Sequence, residues 1–173
     1  MSRRFVFCTA ASLILALAGC TSVPPRPAVA LTGDPVKDGL ALREVAQPQD
    51  RALWDFRIAA AALRRGQNEV ARERFDSGLS LAAAAISGPN AEAAAARRMF
   101  RRESDKPFVG EPYERVMANF YRGVVYWMHG EPDNARALFR NGLFLDSDTT
   151  DRTYAGDWAL LEYLDGFITA RLG

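Results

Sequence analysis

Residues 123 to 142 read GVVYWMHGEPDNARALFRNG, and residues 59 to 78 read AAAALRRGQNEVARERFDSG. Four residues recur between these segments at an interval of 64 positions: Gly66 and Gly130, Ala71 and Ala135, Phe75 and Phe139, and Gly78 and Gly142. Small residues allow two antiparallel helices to approach closely, with a phenylalanine between them and a glycine at the turn. The repeat therefore predicts two helical hairpins.

The second copy resembles the tetratricopeptide repeat, a helix-turn-helix unit of about 34 residues. Its signature positions 8, 11, 20 and 24 are taken here by Gly123, Tyr126, Ala135 and Phe139. Asn119 replaces the usual Trp, and Ser147 replaces the usual Pro. Gly166 and Gly173 keep the spacing of Gly123 and Gly130, which predicts the first helix of a third repeat. The resemblance implies an all-α fold, a tetratricopeptide-like helical hairpin array of about two and a half repeats.

Composition also favours helices, because the chain has 29 alanines but only ten valines and four isoleucines. Pro89, Pro112 and Pro132 each suit a first helical turn, where the missing N–H costs little. The pattern predicts helices near 49 to 65, 67 to 86, 89 to 104, 112 to 129, 132 to 146 and 154 to 172, with a further short helix considered near 35 to 46.

The N-terminus reads as an export signal. Arg3 and Arg4 precede an uncharged run over residues 5 to 18, which has the length of a signal-peptide core. Leu17-Ala18-Gly19-Cys20 resembles the lipobox of bacterial lipoproteins, which implies cleavage after Gly19 and covalent lipid, including palmitate, on Cys20. The domains expected are a signal peptide (1–19), a lipid anchor and flexible tether (20–35) and a helical domain (36–173). An ordinary signal peptide with an accidental cysteine is the alternative.

Location and charge restrict the partners. From Cys20 onward, 20 Lys and Arg face 21 Asp and Glu, which excludes a strongly basic nucleic-acid binder. Thr21 stands where an aspartate would retain a lipoprotein at the inner membrane, so the periplasmic face of the outer membrane is expected. Cys8 leaves with the signal and Cys20 carries lipid, so no thiol chemistry remains.

No residue pattern indicates catalysis. His129 is the only histidine, and its place at a helix end favours a capping or packing role. Asp146, Asp148 and Asp151 lack the glycine and glutamate of a calcium loop. We expect no catalytic residue, no metal, no cofactor besides the lipid, and no small-molecule substrate. A periplasmic cell-wall enzyme, or an activator of one, is the alternative function.

Residues 106 to 115, KPFVGEPYER, form what we call the motif loop. With the NFY run at 119 to 121, they resemble a segment of a family of bacterial lipoproteins with tetratricopeptide-like repeats. The resemblance implies a scaffold or assembly factor for an envelope complex. The residues that carry it are Lys106, Phe108, Gly110, Glu111, Pro112, Tyr113, Glu114 and Arg115. A plain helix start is the alternative, with Glu111 near the N-cap and Pro112 at the first position, and it leaves Tyr113 and Arg115 unexplained.

Two surfaces are candidates for binding another envelope protein or peptide. The concave face implied by the repeat family is the first, with Phe120 and Trp127 as anchors. Its predicted groove residues are Leu53, Phe56, Met117, Phe120, Val124, Trp127 and Met128. The alternative is that residues 28 to 48 of the chain itself fill this groove. The second surface is a basic helix face of Arg97, Arg98, Arg101 and Arg102. It suits solvent or, alternatively, contact with anionic lipid headgroups or an acidic partner.

Overall fold

The computed structural model describes residues 28–87, 102, 105–147 and 158–173. These residues form six helices and no strand, which confirms the all-α class for the described part. The helices are α1 (Pro35–Glu44), α2 (Arg51–Arg64), α3 (Asn68–Ser87), α4 (Pro112–Met128), α5 (Pro132–Ser147) and α6 (Ala159–Leu172), and a 3-10 turn (Pro48–Asp50) leads into α2. The signal peptide and, apart from Arg102, the helix predicted near 89 to 104 lie outside the described residues.

Helices α2 and α3 form one hairpin, and α4 and α5 form a second. Gly66 and Gly130 make the turns with φ of +69° and +75°, a left-handed conformation that favours glycine. In the first turn the N–H groups of Gly66 and Gln67 donate to the carbonyls of Leu63 and Ala62. The second turn repeats both bonds 64 positions later, from Gly130 and Glu131 to Trp127 and Tyr126. The predicted turns are therefore confirmed.

The two helices of the second hairpin touch at Gly123. A Cβ atom at this position would lie 2.4 Å from Cε1 of Phe139, so only glycine permits the observed approach. Phe139 is fully buried, and so is Phe75 in the first hairpin apart from 2% of its surface. Leu161 and Ile168 of α6 complete the second core. The predicted role of the two phenylalanines, filling the space between paired helices, is confirmed.

Charged pairs join each hairpin to the helix that follows it. Arg122 of α4 donates to both carboxylate oxygens of Asp76 in α3, at 2.5 and 3.0 Å. Arg140 of α5 donates to Asp165 of α6 at 2.8 Å. Arg140 lies 64 positions after Asp76, and Asp165 lies 43 positions after Arg122. Helix α6 thus contacts α5 as α4 contacts α3. The arginine lies on the later helix in the first pair and on the earlier helix in the second.

Helix α1 packs against the N-terminal side of the first hairpin. A Cβ atom on Gly39 would lie 2.7 Å from Cγ1 of Ile58, so the two helices are in close contact. Arg43 forms two bonds with the buried carboxylate of Asp55, at 2.5 and 3.0 Å. Ile58, which contacts α1, lies 64 positions before Arg122, which contacts α3. Helix α1 therefore lies beside α2 as α3 lies beside α4.

Candidate partner-binding site

An open apolar cleft of about 390 Å³ lies between α2 and α4. Both helices contribute half-buried side chains to its walls, and the buried Phe75 and Ala118 form its floor. The wall residues on these helices are Leu53, Phe56, Arg57 and Ala60 on α2 and Tyr113, Glu114, Met117 and Tyr121 on α4. No residue from 28 to 48 lines the cleft, so the chain's own N-terminal segment does not fill it.

The motif loop forms one side of this cleft. The ring of Phe108 meets the ring of Phe56 edge to face, with centroids 6.3 Å apart. The Phe108 N–H donates to the carbonyl of Gln49 at 2.8 Å, which holds the loop against the start of α2. Tyr113 stands at the rim, with 61% of its surface exposed. The motif loop and the groove, which the sequence presents as separate features, therefore meet in one site.

The motif loop also starts α4, as the helix-start interpretation predicts. Pro112 occupies the first turn and Glu111 the N-cap position. The Glu111 N–H donates to Oε2 of Glu114 at 2.8 Å, which satisfies one free donor at the helix end. Arg115 donates to the carbonyl of Gly110 at 2.8 Å. This bond accounts for Arg115, while Tyr113 remains free to contact a partner.

The predicted groove residues divide into two groups. Leu53, Phe56 and Met117 line the cleft. Phe120, Val124 and Trp127 continue along the same face of α4 toward α6, where Trp127 stacks on Phe167 with ring centroids 5.4 Å apart. The Phe120 ring packs 6.2 Å from Phe139. The two expected anchors thus contact the chain's own aromatic side chains, and Met128 beyond them is 57% exposed.

Buried polar pairs support the helices behind the cleft. Asp55 is fully buried and accepts bonds from Arg43, from Arg74 and, at 2.7 Å, from the Ser77 hydroxyl. The bond to Asp55 raises the pKa of Arg43 above its ordinary value. These charges lie on the side of α2 that faces α1 and α3, so Arg57 is the charged residue that α2 contributes to the cleft.

The second hairpin has a pair of neutral side chains at the positions that correspond to Asp55 and Ser77. Asn119 is buried, and its Oδ1 accepts a bond of 2.9 Å from Asn141. Asn119 and Asn141 lie 64 positions after Asp55 and Ser77. The residue that departs from the repeat signature is therefore a hydrogen-bond acceptor in both copies. This correspondence was not predicted, although the interval of 64 positions between Asp55 and Asn119 indicates it.

His129 has the capping position that the sequence predicts. It follows the last residue of α4, its Nδ1 lies 2.7 Å from the carbonyl oxygen of Val125, and its Nε2 lies 3.1 Å from a carboxylate oxygen of Glu69. Within the described ranges, no three His, Cys, Asp or Glu side chains are grouped so that they could hold a metal ion. Among the helices described, none combines the length and apolar character needed to span a bilayer.

Several predicted residues fall outside the described ranges. Of the basic face, only Arg102 is described, and it is exposed, while Arg97, Arg98 and Arg101 are not described. Cys20 and the lipobox also lie outside. The chain matches no protein-family model, no curated protein and no solved structure.

Proposed function

We propose that the protein is a lipid-anchored scaffold of the bacterial cell envelope, which binds a segment of another envelope protein in the cleft between α2 and α4. The anchor is Cys20, and the location is the periplasmic face of the outer membrane. The Leu-Ala-Gly-Cys sequence at 17 to 20 and the resemblance of the motif loop to a lipoprotein family support this placement. The residues between Cys20 and Thr32 then act as the tether, because Thr32 to Pro35 are held at the start of α1.

The helical domain, in this proposal, is a tetratricopeptide-like array of about two and a half repeats. Its support is the agreement between the two hairpins at an interval of 64 residues. They share the hydrogen bonds of the turn, the positive φ of the turn glycine and a buried phenylalanine. Arrays of this kind are quasi-one-dimensional, with each unit contacting its neighbours, and they present an extended concave surface to partners.

The observation that carries the binding role is the open cleft itself. Leu53, Phe56 and Met117 are each only partly buried, and Tyr113 adds an exposed aromatic ring at the rim. Exposed apolar surface of this kind typically marks an interaction site. Farther along α4, the chain's own rings cover Phe120 and Trp127, so the ligand contacts the cleft itself. We therefore assign the cleft to a peptide segment with a large apolar side chain.

Site-specific crosslinking in living cells tests this assignment. A photoreactive phenylalanine analogue replaces Tyr113 at the cleft rim or, as a control, Phe144, which is 65% exposed on α5 outside the cleft. We expect a discrete adduct with one envelope protein at position 113 and none at 144. Met117→Glu should abolish the adduct while circular dichroism remains unchanged. Equal adducts at both positions, or an adduct that survives Met117→Glu, would refute the cleft as the binding site.

Lipidation is tested separately by Cys20→Ser. Radiolabelled palmitate should enter the native protein and not the variant, and the variant should retain its signal peptide or leave the membrane. A variant that is processed and anchored like the native protein would disprove the lipoprotein assignment.

A further inference from the structure

The cleft between α2 and α4 carries one charge of each sign. Among the residues that the structure describes, Arg57 and Glu114 are the charged side chains that line it. Arg57 is exposed on α2, with its guanidinium 5.4 Å from the centre of the Trp54 ring. Glu114 is half-buried in the first turn of α4. The ion pairs within the same described ranges involve neither side chain, so both charges can meet a ligand.

Helices α2 and α4 run in the same direction, because α3 is antiparallel to both. The tight turn at Gly66 reverses the chain between α2 and α3. The contacts between α3 and α4 follow one another in opposite order along the two helices. Glu69 contacts His129, and the later residue Asp76 bonds to the earlier residue Arg122. Positions on α2 and α4 that differ by 64 therefore lie at about the same height along the cleft.

Leu53 and Met117 form such a pair, and both line the cleft. Glu114 precedes Met117 by three residues, and Arg57 follows Leu53 by four, which is about one helical turn in each case. The apolar pair therefore lies between the two charges. At a rise of 1.5 Å per residue, Arg57 lies about 10 Å beyond Glu114 along the cleft. This distance is too long for an ion pair between them, but it matches two turns of a helical ligand.

A helix complementary to this order presents three residues on one face. An acidic residue lies opposite Arg57, an apolar residue one turn away lies opposite Leu53 and Met117, and a basic residue after another turn lies opposite Glu114. Residues at i, i+4 and i+7 of a helix share a face in this way. Acidic residues stabilise the N-terminal turn of a helix and basic residues its C-terminal turn. The acidic residue therefore comes first in the ligand, which runs antiparallel to α2 and α4.

We propose that the cleft binds an amphipathic helix of the partner protein that carries an acidic, an apolar and a basic residue in this order, one turn apart, with the acid at Arg57 and the base at Glu114. This inference rests on the proposed function, because it specifies the ligand of the same cleft. Complementary charges fix the orientation and register of a ligand more than its raw affinity. The two charges thus select one class of segment among the many that could offer an apolar side chain.

Crosslinking from the photoreactive analogue at position 113 tests the charge order. We expect mass spectrometry of the adduct to map a partner segment with an acidic, an apolar and a basic residue at intervals of three or four. Arg57→Glu and Glu114→Gln should each lower the adduct yield at least fivefold. Arg64→Glu, an equal charge change on the exposed surface of α2 outside the cleft, should leave the yield unchanged. Glutamine replaces glutamate in a capping box, so Glu114→Gln should keep the native circular dichroism.

Charge exchange across the interface distinguishes direct contact from a structural role. In the Arg57→Glu background, replacing the mapped acidic residue of the partner with lysine should restore the adduct to at least half of its native yield. The same partner variant should lower the yield with native Arg57. A side chain that only supported the fold of α2 would not be rescued by a change in the partner.

Four results would overturn this inference. An adduct yield that neither charge variant changes leaves the cleft as the binding site, but it shows selection by apolar contact alone. A mapped segment without the acidic, apolar and basic order contradicts the assigned ligand while the proposed function stands. An adduct between position 113 and this chain's own residues gives the cleft to the chain itself. Absence of any adduct at position 113 refutes the proposed function, and the inference fails with it.

Discussion

Gly123 and Gly166 occupy corresponding positions on α4 and α6, and we predict that alanine has opposite effects at the two sites. At Gly123, a Cβ atom would lie 2.4 and 2.9 Å from two ring carbons of Phe139. Phe139 is fully buried, so its ring has no free space to move into. At Gly166, the same atom would meet nothing within 4 Å. The pair therefore separates the effect of close packing from the effect of helix propensity.

The magnitudes follow from these two terms. Inserting atoms into a packed core typically costs about 1–3 kcal/mol, and the short contacts place Gly123→Ala near the upper limit. Alanine is favoured over glycine within a helix by about 1 kcal/mol. Gly123→Ala should therefore lower the free energy of unfolding by about 2 kcal/mol. Gly166→Ala has only the favourable term and should raise it by about 1 kcal/mol.

Urea unfolding followed by circular dichroism measures both changes. The decisive control repeats Gly123→Ala in a Phe139→Ala background, where the ring that the new methyl group would strike is absent. There the substitution should become neutral or stabilising. If Gly123→Ala destabilises both backgrounds equally, or if both glycines respond alike, the packing explanation is wrong.

Three further predictions concern charged groups. Asp55→Ala removes the buried acceptor of two arginines and should lower the free energy of unfolding in urea by about 3 kcal/mol. Asp55→Asn keeps an acceptor for the Ser77 hydroxyl and should lower it less. Equal losses in the two variants would contradict this argument. Backbone N–H donors lower the pKa of Asp34 and Asp38 below the ordinary 3.8, so these groups stabilise the fold above pH 3.8, and the contribution disappears as pH falls through the lower folded values. The expected signal is a fall in the protection factors of the α1 amides below pH 3.8, each taken against intrinsic exchange at the same pH, and unchanged protection factors would count against the argument. Arg122→Ala should lower the free energy of unfolding by about 1.5–3 kcal/mol, because this side chain is 1% exposed. Arg140→Ala should lower it by under about 1 kcal/mol, because the side chain of Arg140 is 58% exposed. The reverse order in urea unfolding would disprove the argument.

Local features of the fold were predictable from the sequence. Turn glycines and prolines in first helical turns depend on residues within one or two helical turns, and the interval of 64 residues marks the two buried phenylalanines. Gly66, Gly130, Pro112 and Phe139 accordingly have the roles that their spacing indicates. The helix start in the motif loop belongs to the same class, because Glu111 and Glu114 act on neighbouring backbone groups.

The candidate site was predicted only in part. Leu53, Phe56 and Met117 were recognised from their places on the two first helices of the hairpins. Phe108 was not assigned to the same surface, because its contact with Phe56 joins residues more than 50 positions apart and depends on the path of the loop. Trp127 shows the converse: its helical register indicates the concave face, but its neighbour Phe167 is supplied by α6.

The sequence alone is thus sufficient for the helices, their turns and the interval of 64 residues, because these follow from short-range sterics and hydrogen bonding. The tertiary structure decided which apolar surface stays open. The angle between hairpins, the position of the motif loop and the contact of α6 with α5 determine whether a side chain lines the cleft, joins the core or meets no neighbour. Gly123 and Gly166 illustrate this difference. They occupy corresponding helix positions, but Phe139 fills the space beside Gly123, whereas the space beside Gly166 is open.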